Sequence, residues 1–129
     1  MRQWLRKAVG DLRVARHLLG GDADFAFGAA FHSQQAAEKS LKAALVWHQV
    51  DFPKTHDIGR LVELLRSVDA RMAIPIAQAI DLTSYGVEVR YPADLPEPTL
   101  EEARVALVLA EDIHAAVLGL LPVEFGSGA

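Results

Sequence analysis

Phe25–Trp47, FAFGAAFHSQQAAEKSLKAALVW, is the stretch whose reading decides the fold. At about 3.6 residues per turn, Phe27, Phe31, Gln34, Glu38, Leu41 and Leu45 share one side of a helix. A second side carries Ala29, Ala30, Ser33, Ala36, Ala37, Ser40, Ala43 and Ala44. A third carries His32, Gln35, Lys39 and Lys42. The large apolar groups can pack a core, and the small-residue face lets another helix approach closely. The remaining stripe of donors and cations has the character of a surface that meets a ligand or a partner.

Working outward, Trp4, Leu5, Ala8, Leu12, Ala15 and Leu19 form the apolar stripe of a helix over Arg2–Leu19, stopped by Gly20-Gly21. Asp22 or Asp24 suits the cap of the second helix. Pro53 marks a connector over Gln49–Lys54, and Thr55 suits the N-cap of a third helix lined by Ile58, Leu61, Val62, Leu65 and Val68. Pro75 fits the first turn of a fourth helix, with Ile76, Ile80, Thr83 and Val87 on one face. Tyr91 precedes Pro92 and is biased away from helical dihedrals, so this helix is expected to stop near Arg90. Thr99 and Glu102 form a capping box for a fifth helix, whose inner face is Ala103, Ala106, Leu107, Ala110, Ile113, Val117 and Leu120 or Leu121. The pattern predicts an all-α, up-and-down bundle of about five helices, with one domain over residues 1–122 and a flexible tail over 123–129.

The composition agrees with a globular chain: 129 residues, 51% hydrophobic and 23% charged. That length suffices to bury a core. With no cysteine, disulfide frameworks and thiolate metal sites are excluded. Charges interrupt every apolar run short of the roughly 18–20 residues that span a bilayer, and they interrupt the N-terminal stretch where a signal peptide needs an unbroken apolar centre. A soluble, cytoplasmic protein without membrane association is expected. The net charge of −4 is uneven: through Arg60 there are nine Lys/Arg and six Asp/Glu, and from Leu61 onward four against eleven. The basic first part can take a local phosphate or pair with an acidic partner.

A Walker loop, a dinucleotide-binding glycine fingerprint and a G-x-S-x-G elbow are absent. A carboxylate-bridged di-metal bundle needs two Glu-x-x-His pairs, and Glu111–His114 is one without a second. It reads as a surface carboxylate and a half-buried histidine, and neither a metal nor a cofactor is expected. Gln34 and Glu38 are unusual on an apolar stripe, because a buried carboxylate needs a partner. Either they tie the second helix to a cation, Arg90 or an arginine of the first helix, or the stripe lines a wet cleft. Lys54-Thr55-His56-Asp57 places a cation, a hydroxyl and an imidazole at a helix N-terminus, where anions are favoured. Arg90-Tyr91-Pro92 adds a cation and an aromatic ring at a helix end, where arginine also complements the helix dipole. The candidate ligand-binding residues are therefore His32, Gln35, Lys39, Lys42, Lys54, His56, Arg90 and Tyr91.

FHSQQAAEKSLKA at Phe31–Ala43, KTHD at Lys54–Asp57 and RYP at Arg90–Pro92 stand in the order and context found in HEPN domains. The chain resembles the small stand-alone HEPN proteins often encoded beside a minimal nucleotidyltransferase, from Trp4 and Asp11-Leu12 to the capped last helix. The resemblance implies an all-α bundle that dimerises, binding of nucleotide or RNA, and pairing with a nucleotidyltransferase in a toxin–antitoxin-like module. HEPN ribonucleases carry Arg, four to six further residues, then His, and none of the nine arginines here has a histidine at that spacing. The expectation is thus a non-catalytic binding subunit in which Lys39, Lys42, Lys54 and Arg90 meet phosphates, His32, Gln35 and His56 add directed hydrogen bonds, and Tyr91 stacks on a base. The alternatives are a divergent ribonuclease and a purely protein-binding scaffold.

Overall fold

The computed structural model describes residues 1–21, 23–83 and 98–126. Five main helices carry the chain: α1 (Arg2–Leu19), α2 (Ala26–Trp47), α3 (Ile58–Val68), α4 (Ile76–Thr83) and α5 (Leu100–Leu120), followed by one short turn, α6 (Val123–Gly126). The described residues contain no strand. The all-α bundle read from the sequence is the fold.

The centre is α2, flanked chiefly by α1 and α5. Its small face explains this. Ala29, Ala30, Ala36, Ala37, Ala43 and Ala44 are fully buried. Ser33 and Ser40 join them by turning their hydroxyls onto the carbonyls of Ala29 and Ala36, each at 2.8 Å, so both behave as small, internally satisfied residues. Onto this helix α1 packs Leu5, Ala8, Leu12 and Ala15, and α5 packs Ala103, Ala106, Ala110, Ile113 and Val117. Leu41 and Leu45 complete a core with Ile58, Leu61, Val62 and Leu65 of α3. Burying a side chain of this size stabilises the fold by about 1.5–3 kcal/mol.

The helix ends refine the sequence reading. Gly21 lets the Phe25 ring lie against the turn, since a Cβ there would stand 2.5 Å from it and push the ring aside. A single 3-10 turn, Ala23–Phe25, leads into α2, and the cap position is Phe25 rather than an aspartate. Asp57, not Thr55, caps α3 by accepting from the Arg60 amide at 3.2 Å. Thr55 instead accepts from the Asp57 amide at 3.0 Å, tightening the approach. The Ile58 amide donates to Thr83 Oγ1 of α4 at 3.0 Å, which joins α3 to α4. Pro75 sits just before α4 and its carbonyl accepts the first bonds of that helix. In α4 the inner face is Ala79 and Leu82, while Ile80 is 55% exposed. The expected stripe is therefore rotated, with the small Ala79 taking the tight position. Val68 is exposed as well. The expected continuation of the fourth helix, with Val87 and Arg90, lies outside the described residues. The Thr99–Glu102 capping box is present, with both bonds at 3.0 Å.

Two polar locks hold the bundle's far end. Arg71 grips Asp69 with Nε and Nη2 at 3.0 and 2.8 Å and donates to the Leu120 carbonyl of α5 at 3.3 Å. His48 Nε2 lies 3.2 Å from Asp69 Oδ2. Arg66 donates to the carbonyls of Met72 and Ile74.

The C-terminus of α2 makes a Schellman-like closure, the Val50 amide reaching the Leu45 carbonyl at 2.9 Å. Gln49 occupies its left-handed position at φ 57°. Such a conformation costs a residue with a Cβ about 1–2 kcal/mol, partly offset by the extra unfolded-state freedom of glycine. Gln49→Gly is therefore expected to raise the melting temperature by roughly 2–4 °C in a calorimetric scan. The Arg71 bonds hold the Asp69 carboxyl down from 3.8 to about 2. The unfolded chain then binds more protons between those values, so this pair stabilises above the higher one and loses its effect as pH falls towards the lower. Asp69→Asn is expected to weaken urea resistance at pH near 6, with the difference from the parent shrinking as acid protonates Asp69.

Candidate functional site

Two acid–base networks occupy neighbouring flanks of α2. In the first, Asp11 of α1 receives Lys39 Nζ at 2.6 Å on one oxygen and His32 Nδ1 at 2.9 Å on the other. A carboxylate only accepts, so His32 donates from Nδ1 and turns its other ring nitrogen away. The His32 ring also sits edge-on to Phe31 at 5.5 Å.

The second network surrounds Glu38. Gln34 is fully buried and Glu38 is 4% exposed, which answers the choice between core and wet cleft in favour of core. The partners of Glu38 are Lys42 Nζ at 3.4 Å, one turn along α2, and His56 Nδ1 at 2.7 Å, from the connector before α3. An arginine of α1 was expected in that role, but a lysine already on α2 reaches it first. Arg90, the other expected partner, lies outside the described residues, as does Tyr91. Gln34 donates to the His56 carbonyl at 3.2 Å and accepts from Gln35 Nε2 at 2.7 Å. One amide thus fixes the connector's backbone while one carboxylate fixes its imidazole.

Lys42 is not on an open face. Its ammonium lies 5.5 Å from the Trp4 ring and 5.6 Å from the Phe52 ring, so α1 and the connector cover it from two directions. Cation–π contact and the Glu38 charge together offset its burial. His56, by contrast, keeps a side chain that is 57% exposed. Lys54 is exposed two residues away. A cavity of about 490 Å³ opens beside this region, between Val46, Gln49, Val50, Asp51 and Phe52.

The structure therefore gathers Gln35, Lys42 and His56 into one network and His32 and Lys39 into another, both mounted on α2. Sequence reasoning missed Asp11 as a member. Its signal was present: Asp11 is the one acidic residue in α1, a helix with five Lys/Arg. No group of three or more histidines and carboxylates suited to a metal ion occurs among the described residues. On the other side of α2, His114 is buried rather than half-buried, its Nδ1 3.1 Å from Ser40 Oγ. Burial pushes its imidazole below the ordinary value, and the Arg16 charge adds to the shift. Arg16 itself pairs with exposed Glu111 at 3.0 Å.

Glu38→Ala is expected to cost about 3–5 kcal/mol in urea unfolding, because it leaves Lys42 charged and enclosed. Glu38→Gln keeps a hydrogen-bond acceptor for His56 and Lys42 but no counter-charge, and is expected to cost less than the alanine variant. A loss below about 1 kcal/mol for the alanine variant would mean that Lys42 escapes to water.

The HEPN domain model matches residues 1–120. Among solved structures, TT1696 from Thermus thermophilus is 35% identical, with 93% of this chain and 97% of that one covered and a TM-score of 0.70. ST0689, described as an archaeal HEPN homologue, is 27% identical over 91% and 93% of the two chains, with a TM-score of 0.67. No curated protein matches. A family match over nearly the whole length, carried by the helices that mount both acid–base networks, means that this chain belongs to the HEPN domain family.

Proposed function

We propose that this HEPN protein is a non-catalytic, homodimeric subunit that binds nucleotide or RNA and acts with a minimal nucleotidyltransferase in a toxin–antitoxin-like module. The observation that carries the reading is the hydrogen-bonded ribbon Gln35–Gln34–His56–Glu38–Lys42. It holds an oriented, exposed imidazole two residues along the connector from exposed Lys54. Each lysine of α2 already faces a carboxylate, Lys39 with Asp11 and Lys42 with Glu38. Lys42 holds the ribbon's donors in place and Lys39 shares Asp11 with His32, while Lys54, without a charge partner among the described residues, supplies the charge for a phosphate. Arg90 and Tyr91 belong to the same proposal on the strength of their sequence motif. Among the described residues, no helix is long and apolar enough to cross a membrane.

The Lys54→Ala, His56→Asn double variant is expected to bind ATP at least tenfold more weakly in calorimetric titration while keeping a parent-like helical circular-dichroism spectrum. Parent-like affinity in a folded double variant would remove the ribbon from consideration. The partner is tested by co-expression with a neighbouring nucleotidyltransferase frame, where a stable complex is expected on gel filtration.

One observation favours a second reading, a divergent ribonuclease. Glu38 on Nδ1 of His56 leaves the other ring nitrogen with its lone pair outward, as a general base requires. If so, tRNA is cleaved without added metal and both His56→Asn and Glu38→Gln abolish the cleavage.

A further inference from the structure

We infer that the outward ridge of α1 binds the phosphodiester backbone of single-stranded RNA, on a surface separate from the α2 ribbon. The inference rests on the reading of the protein as a nucleotide- or RNA-binding subunit.

Among the 18 residues of α1 stand Arg2, Arg6, Lys7, Arg13 and Arg16, all exposed, against Asp11 alone. Asp11 is turned inward and shared by Lys39 and His32, so it does not screen the ridge. At about 100° per residue, Arg2, Arg6, Arg13 and Arg16 fall within roughly 80° of arc and about 21 Å of helix, on the flank away from Asp11. Arg16 spends part of its charge on Glu111. Arg6 and Arg13 have no hydrogen bond or ion pair among the described residues, so the middle of the ridge is unspent.

The chemistry selects the occupant. A protein interface usually joins an aromatic or aliphatic anchor to its arginines. The one large apolar side chain on α1 that is exposed, Val14, lies on another flank. A line of guanidiniums without an anchor suits phosphates, which arginine takes bidentately and without regard to base sequence. One line follows one strand. On the adjacent helix, α5, Glu111 meets the ridge through Arg16 and bounds it on that side with an acid.

The test is fluorescence anisotropy with a labelled single-stranded oligo(U) of about 15 nucleotides across a salt series. With Arg6 and Arg13 as the two unpaired contacts, the slope of log affinity against log salt is expected near −1.4, falling towards zero in Arg6→Ala, Arg13→Ala, with affinity at least tenfold weaker at low salt. ATP binding by the same variant is expected to stay at the parent value, which shows that the fold and the α2 ribbon are intact. Parent affinity and slope for oligo(U) in the double variant would overturn the ridge and leave the ribbon standing. Absence of oligo(U) binding by the parent protein at low salt would overturn the ridge and the RNA half of the functional reading together. Loss of ATP binding alone, through Lys54→Ala, His56→Asn, with the oligo(U) slope unchanged, would support two separate surfaces.

Discussion

A helix enclosed on nearly all sides has to satisfy within the chain every polar group that it carries. The small residues of α2 impose this condition, because they draw α1 and α5 so close that water cannot reach its length. Ser33 and Ser40 meet it within their own helix. Gln34 and Glu38 cannot, and they recruit the connector before α3, taking the His56 carbonyl and the His56 imidazole respectively. The connector's position is therefore a result of charge burial in the helix beneath it. The geometry around His56 follows from the packing of alanines.

Much of the architecture is legible from periodicity and punctuation. The alanine face, the inner stripes of α1 and α5, and the Thr99–Glu102 box each depend on local spacing, which the sequence displays directly. The errors occur where a tertiary neighbour decides. Ile80 has the stronger apolar side chain, but the space beneath α4 admits the small Ala79, so the helix turns Ile80 outward. Thr55 and Asp57 are both competent caps, and the choice falls to Asp57 because the helix starts at Ile58, where Thr83 receives the first amide. The candidate site divides in the same way. That His32, Gln35, Lys39 and Lys42 share a flank of α2 is visible from spacing alone. That Asp11 consumes Lys39, and that Trp4 and Phe52 enclose Lys42, depends on residues distant in sequence meeting across helices.

Charge is segregated in the folded protein as it is along the chain. The basic balance of the first half is concentrated on the exposed side of α1, since the cations of α2 are neutralised where they stand. The acidic balance of the second half lies partly on α5, which meets α1 through Arg16 and Glu111. Exposed fields of opposite sign on adjacent helices give the molecule an electrical direction, and at physiological salt each patch acts within about 8 Å of its own surface. A net charge of −4 thus says little about what a given face attracts.

The enclosure of Lys42 also sorts the chain's lysines by chemical reactivity. An amine reacts with acylating agents only where they can reach it, and Lys42 is enclosed, with Glu38 at 3.4 Å and an aromatic ring on two sides. Lys39 is half-shielded by its bond to Asp11, whereas Lys7 and Lys54 stand in solvent. Enzymatic or spontaneous acetylation therefore falls on the two exposed lysines first. A single acyl group on Lys54 would cancel the exposed charge on the connector without disturbing the helix that supports it.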